Sequence, residues 1–141
     1  MTRVDFYTGS QDKLRTACQL SHKAMQSGVR VMLSAETEML AALDKLLWQF
    51  PATAFIPHCH STQPDATHMP VVLGDAQAQF PDHALLISLH DECIPLFSRF
   101  ERVIEIISTD PADSERGRAR YKFYRDRGYA LSHTDLLQQR Q

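Results

Sequence analysis

Hydrophobic positions along the chain switch repeatedly between a period of two and a period near 3.6. Arg3 to Tyr7 alternates, with Val4 and Phe6 on one side, and predicts a first strand. Thr8-Gly9-Ser10 breaks it. From Asp12 to Ser27, Leu14, Ala17, Cys18, Leu20, Ala24 and Met25 recur at helical spacing, and Gly28 stops that helix. Val29 to Leu33 is too continuously apolar for a half-exposed strand and predicts a buried one. Ser34 can cap a helix running from about Glu36 to Trp48, with Met39, Leu40, Leu43, Leu46 and Leu47 inward; Pro51 shows that it has ended.

The second half is more broken. Ala54 to Ile56 is a short apolar run. His58 to Met69 is polar, contains Pro64 and predicts a surface loop. Val71 to Leu73, Ala84 to Leu89 and Val103 to Ile107 predict strands, with a short helix over Ile94 to Phe100. Asp110 as N-cap, Pro111 at the first helical position and Asp113 in the first turn start a last helix, which Gly128 closes after Arg127. Strands alternating with helices imply a single-domain three-layer α/β/α fold with a Rossmann-like, mostly parallel sheet over residues 1–131. Residues 132–141 read as a polar, mobile C-terminal tail. In such folds ligands sit at the carboxyl ends of the strands. The turn after the first strand, T-G-S-Q-D-K, is no nucleotide-binding loop: it matches neither G-x-G-x-x-G nor G-x-x-x-x-G-K-[ST].

Composition narrows the function. An apolar fraction of 43% suits a globular domain, and a net charge of -2 means that any attraction to an anion must be local. Three cysteines without a repeated spacing predict a reducing, cytoplasmic setting rather than a disulfide framework. No leader-like start and no apolar run of bilayer-spanning length is seen, so no signal peptide and no membrane association are expected.

Candidate chemistry is thin. His58-Cys59-His60 with His68 fits no common zinc spacing, and adjacent ligands cannot easily close one tetrahedron, so no metal is expected. Cys93 has His90 close in sequence, but a Cys-His pair is defined in space. No G-x-S-x-G occurs. The expectation is a protein without a catalytic centre or cofactor.

The informative stretch is Arg116 to Leu131, which holds six basic residues in a chain that is otherwise acidic. On a helix, Arg118, Tyr121, Lys122 and Arg125 fall on one face, Arg116, Arg120 and Arg127 extend the positive surface, and Ala119 and Phe123 turn toward the sheet. Dipole complementation explains Arg125 and Arg127 but not the arginines earlier in the helix. Guanidinium groups beside Tyr121 and Tyr129 can accept a carboxylate with an apolar neighbour, or a stacked base with its phosphate. A second aromatic cluster, Trp48, Phe50, Phe55 and Ile56, with Pro51 and Pro57 beside it, is either a core cap or a protein-binding anchor.

These residues carry a family resemblance. V-D-F-Y, S-G-V-R-V, L-D-K-L-L-W-Q-F-P-A-T-A-F-I-P-H, A-L-L-I-S-L, F-x-R-F-E-R-V-I-E and R-A-R-Y-K-F-Y-R-D-R-G-Y-A-L follow in order over nearly the full length. The chain resembles the chi subunit of bacterial DNA polymerase III holoenzyme. The resemblance implies a nucleotide-binding-like fold that has lost its nucleotide site and has no catalysis of its own within a DNA-polymerizing nucleotidyltransferase complex. It implies two partners: the psi subunit, which ties chi to the clamp loader, and the acidic C-terminal tail of single-stranded DNA-binding protein. Contact with DNA would be mainly indirect. Arg118 would clamp the tail carboxylate, with Tyr121, Gly128, Tyr129 and Leu131 lining an apolar pocket and Arg116, Lys122 and Arg125 attracting the aspartates. By the resemblance, Ser114 stands where some members have a lysine that assists tail binding, and Arg116, half a turn away, would be the candidate to substitute for it. Trp48 and Phe55 would belong to the psi-facing surface, which a helicase-like partner would share. Two other readings stand beside this one: direct single-stranded nucleic-acid binding, and a small nucleotide-dependent enzyme on the same scaffold.

Overall fold

The computed structural model describes residues 2–49 and 56–138. Within them the element order is β1 (Arg3–Ser10), α1 (Lys13–Gln26), β2 (Val31–Ser34), α2 (Thr37–Gln49), β3 (His58–His60), β4 (Val71–Gly74), β5 (Leu85–Ser88), β6 (Arg102–Ser108), α3 (Pro111–Asp126) and β7 (Ala130–Asp135). Short 3₁₀ helices cover Pro64–Thr67 and Pro95–Arg99; the latter lies within the short helix predicted over Ile94 to Phe100. The strands form one sheet in the order β3-β4-β2-β5-β6-β1-β7, with every pairing parallel.

Alternate residues of these strands feed two cores, as the two-residue period requires. One face carries Val31, Leu33, Leu85, Ile87, Ile104 and Ile106 beneath α1 and α2, which contribute Ala17, Cys18, Leu40, Leu43 and Leu47. The other carries Val4, Phe6, Met32, Val72, Leu86 and Val103 beneath α3 and the 3₁₀ helices, which contribute Tyr124, Phe97 and Ala66. Each large apolar side chain so buried contributes roughly 1.5–3 kcal/mol. This is the three-layer α/β/α architecture expected.

Three segments differ from expectation. Residues 58–60 are a buried strand, not a surface loop: His58 is tolerated inside because its Nδ1 meets the Ile56 carbonyl at 2.7 Å and its Nε2 meets Asp44 Oδ1 at 3.0 Å. Residues 132–135, read as a mobile tail, belong to β7, an edge strand in register with β1 through Val4↔Leu131 and Phe6↔His133. An edge strand gains its stability from backbone pairing, so its side chains carry little apolar signal. The third difference is the rotation of α3.

The sheet-facing side of α3 is Asp113, Gly117, Arg120 and Tyr124, not Ala119, which is exposed; Phe123 is only half-buried, edge-on to Phe97 at 6.0 Å. Arg120 lies inside the protein rather than on the positive surface. Gly117 brings the helix down onto β6, because a Cβ there would stand 2.2 Å from Ile107 Cδ1 and 2.7 Å from its Cγ1. Gly117→Ala gains about 1 kcal/mol of helix propensity but forces Ile107 out of place, at about 1–3 kcal/mol. Net destabilisation is expected in urea unfolding; a stabilised variant would show that the helix does not pack this closely.

Candidate functional site

Parallel strands with connections on opposite faces leave a crevice at their carboxyl ends. Here the adjacent strands are β1 and β6: β1 leads into α1 on one face, and β6 leads into α3 on the other. Asp12 caps α1 by accepting from the Arg15 amide (3.2 Å), and Asp110 caps α3 by accepting from the Asp113 amide (3.2 Å). At each helix N-terminus one of the first amides is therefore already paired with an aspartate of the chain itself.

Beside this crevice lies a cavity of about 390 Å³ lined by Thr8, Gly9, Ile107, Ser108, Ser114, Arg118, Asp135 and Leu137. Arg118 is exposed and, among the described residues, engaged in no ion pair. The other cations of α3 differ. Arg116 reaches Asp91 (3.3 Å) and Asp113 (3.4 Å) and lines a separate cavity with Cys93 and Phe123. Arg125 meets Asp126 at 3.4 Å, and Arg127 sits 3.6 Å above the Phe123 ring. Lys122 is exposed and, like Arg118, has no ion pair among the described residues.

The helix is held in this rotation by polar fastenings. Glu105 of β6 is fully buried; it accepts from Arg120 Nε (3.0 Å) and Tyr124 OH (2.6 Å), while Arg120 Nη1 donates to the Asp91 carbonyl (2.8 Å). Burial pushes the Glu105 carboxyl up, against the opposing pull of Arg120 and the Tyr124 hydroxyl. Burial and the Glu105 charge push the Tyr124 phenol up, so it stays a donor. Asp113 accepts from the Ser108 amide (2.7 Å) and Lys13 Nζ (3.2 Å).

The predicted tail-binding residues do not all meet. Arg118, Tyr121, Lys122 and Arg125 share the exposed side of α3, and Tyr121 leans edge-on against Phe6 at 5.2 Å. Gly128 lies exposed beyond the opposite end of the helix, about 15 Å along the axis from Arg118 at 1.5 Å per residue. Tyr129 is half-buried against Phe97 (5.2 Å) and Tyr124 (6.2 Å), and Leu131 packs on the same cluster. Neither lines the Arg118 cavity. Its other walls, Thr8, Ser108, Asp135 and Leu137, went unrecognised in the sequence, and only the strand order brings them together.

On the far side of the molecule Trp48 is 55% exposed at the end of α2, its ring 4.5 Å from that of His58. Phe50 and Phe55 lie outside the described residues. His90 is committed to Ser34 Oγ (2.8 Å) and Glu36 (3.5 Å). Burial raises the Cys93 thiol to about 11 and the Cys18 thiol to about 12, so neither supplies thiolate at neutral pH. Among the described residues no group of three or more His, Cys, Asp or Glu could hold a metal ion, and no helix is long and apolar enough to cross a membrane.

Residues 1–132 match the family described as DNA polymerase III chi subunit, HolC. The chain belongs to that family. It is 38% identical to a DNA polymerase III subunit chi of Pseudomonas aeruginosa over 136 residues, 93% of this chain and 94% of the relative. It is 36% identical to that of Haemophilus influenzae, covering 82% of each, and 29% identical to that of Escherichia coli strain K12, covering 82% of this chain and 80% of the relative.

Asp113 links this site to pH. Burial raises its carboxyl, but the Ser108 amide and Lys13 together bring it below the usual value. A depressed folded-state value means that its stabilisation is complete above the ordinary carboxylate range near pH ~4 and is lost as pH falls through the lowered value. Asp113→Asn should be less stable at neutral pH, and its stability should fall less than the parent's between about pH 5 and about pH 2. Parallel urea titrations check this; identical acid slopes would remove Asp113 from the account.

Proposed function

We propose that the protein is a non-catalytic accessory subunit of the DNA polymerase III clamp-loader complex. In this reading it bridges the psi subunit and the acidic C-terminal tail of single-stranded DNA-binding protein. The observation that carries the reading is Arg118: an exposed guanidinium, without an ion pair among the described residues, at the rim of a cavity that also offers the Ser108–Ser114 polar edge and the apolar Leu137. A peptide terminus matches this set, since its carboxylate takes two parallel bonds from a guanidinium while its last side chain needs an apolar wall. Tyr121 adds a half-exposed ring on the same helix side, and Lys122 and Arg125 add charge to attract the aspartates upstream. Arg116 joins them by exchanging its contacts with Asp91 and Asp113. Gly128, Tyr129 and Leu131 support the end of the helix rather than the carboxylate clamp. DNA is engaged mainly through these partners.

A free-acid peptide ending in Asp-Asp-Ile-Pro-Phe should bind with micromolar affinity, roughly -8 kcal/mol, and more weakly in added salt. Amidating its carboxylate, or Arg118→Ala, should each cost on the order of 1.5–3 kcal/mol, and the two losses should not add. Calorimetry finding full affinity after either change would refute the clamp. A labelled oligonucleotide bound without any partner, with a steep salt slope, would favour direct single-strand binding instead.

The psi-facing surface is assigned to Trp48 with Phe55, a surface that a helicase-like partner shares. Trp48 is the single tryptophan of the chain and is more than half exposed, so its emission reports directly on that face. Psi binding should shift the emission to the blue and protect it from acrylamide. Trp48→Ala should weaken psi by roughly 2–4 kcal/mol while leaving tail-peptide affinity unchanged. Undisturbed fluorescence on psi addition would place that partner elsewhere.

A further inference from the structure

We propose that Leu137 is the apolar wall of the Arg118 cavity and selects the last side chain of the bound peptide; the inference rests on the tail-binding reading above. A terminal aromatic residue needs carbon surface within a few ångströms of the group that holds its carboxylate. The cavity's own carbon comes from two larger side chains, Ile107 and Leu137. Ile107 is 6% exposed and pressed against Gly117, so its surface is already used. Leu137 is 46% exposed and lines the cavity, so its carbon surface is open to a ligand there. Tyr129 and Leu131 are committed to the Phe97 and Tyr124 cluster instead.

The turn that presents Leu137 is built for that position. The Leu136 amide donates to the Thr8 carbonyl at 2.9 Å, carrying the chain past β7 and over the end of β1. The Leu137 amide donates to Asp135 Oδ1 at 3.0 Å. Among the described residues Asp135 forms no ion pair with Arg118, although both line the cavity, so the guanidinium stays open to an incoming carboxylate. Beneath the leucine lies Gly9 at φ +75°; a Cβ there would stand 2.8 Å from Leu137 Cγ and 3.3 Å from its Cδ1. The absence of a side chain at position 9 is what lets Leu137 lie down against the strand.

The test uses the full chain and two free-acid peptides, one ending in Asp-Asp-Ile-Pro-Phe and one with alanine in place of the final phenylalanine. The parent protein should prefer the phenylalanine peptide. Leu137→Ala should weaken that peptide about tenfold and hardly change the alanine peptide, so the preference collapses. Amidation should still weaken binding by the same factor, because Arg118 is untouched. Gly9→Ala, which lifts Leu137 from below without altering it, should reduce the preference in the same direction; a melting curve identifies any loss of fold in that variant. Leu137→Ala with an intact preference overturns the proposal, as does tighter binding, which would make the leucine an obstruction. A parent protein that binds neither peptide overturns the tail-binding reading itself, an outcome distinct from a parent that binds while Leu137→Ala changes nothing.

Discussion

A carboxylate with no access to water, Glu105 in the middle of β6, sets the arrangement of everything around it. Removing a charge from solvent costs several kcal/mol, and it persists only where an opposite charge and further donors meet it. Arg120 and Tyr124 meet it from α3, and both are consumed in doing so. Breaking such a pair by removing one partner typically costs about 3–5 kcal/mol, so rotating α3 about its axis is strongly disfavoured. The helix is poor in apolar residues; Asp113, Gly117, Arg120 and Tyr124 form its buried side. Its rotation follows from where polar groups find partners more than from an oily stripe. With those four turned inward, Arg118, Tyr121, Lys122 and Arg125 are left facing out.

The second constraint is topological. Crossovers on opposite faces after β1 and β6 create a crevice of the kind that nucleotide-binding folds fill with phosphate. Here each helix N-terminus is already capped by an aspartate, and the intervening turn lacks the glycines that would expose backbone amides. The cation that remains is a side chain, Arg118, set about two turns beyond the α3 N-terminus. A planar guanidinium suits a carboxylate as well as a phosphate, and a neighbouring leucine suits a peptide terminus better than a sugar. At this place in the fold the chain thus offers a side-chain cation and apolar carbon instead of the backbone amides of a phosphate loop.

The strands with buried apolar runs, β2, β5 and β6, and the amphipathic helices α1 and α2 were legible because burial leaves a periodic mark on composition. Edge strands β3 and β7 were not, since they are stabilised through backbone pairing, and β3 hides a histidine inside by giving both its nitrogens partners. Arg120 misled for the same reason: in a row of arginines, nothing local distinguishes the one that meets a buried glutamate fifteen residues earlier.

The sequence alone determined the α/β alternation, the closing turns, the missing phosphate loop, the basic character of the last helix and the family. These are properties of neighbouring residues, written in short-range spacing. Tertiary structure alone decided which arginine stays open, that Tyr129 belongs to an aromatic cluster at the other end of α3, and that Leu137 stands beside Arg118 across Gly9. Those facts depend on strand order and on a buried charge pair, which join residues distant in the chain and leave no periodic trace in it.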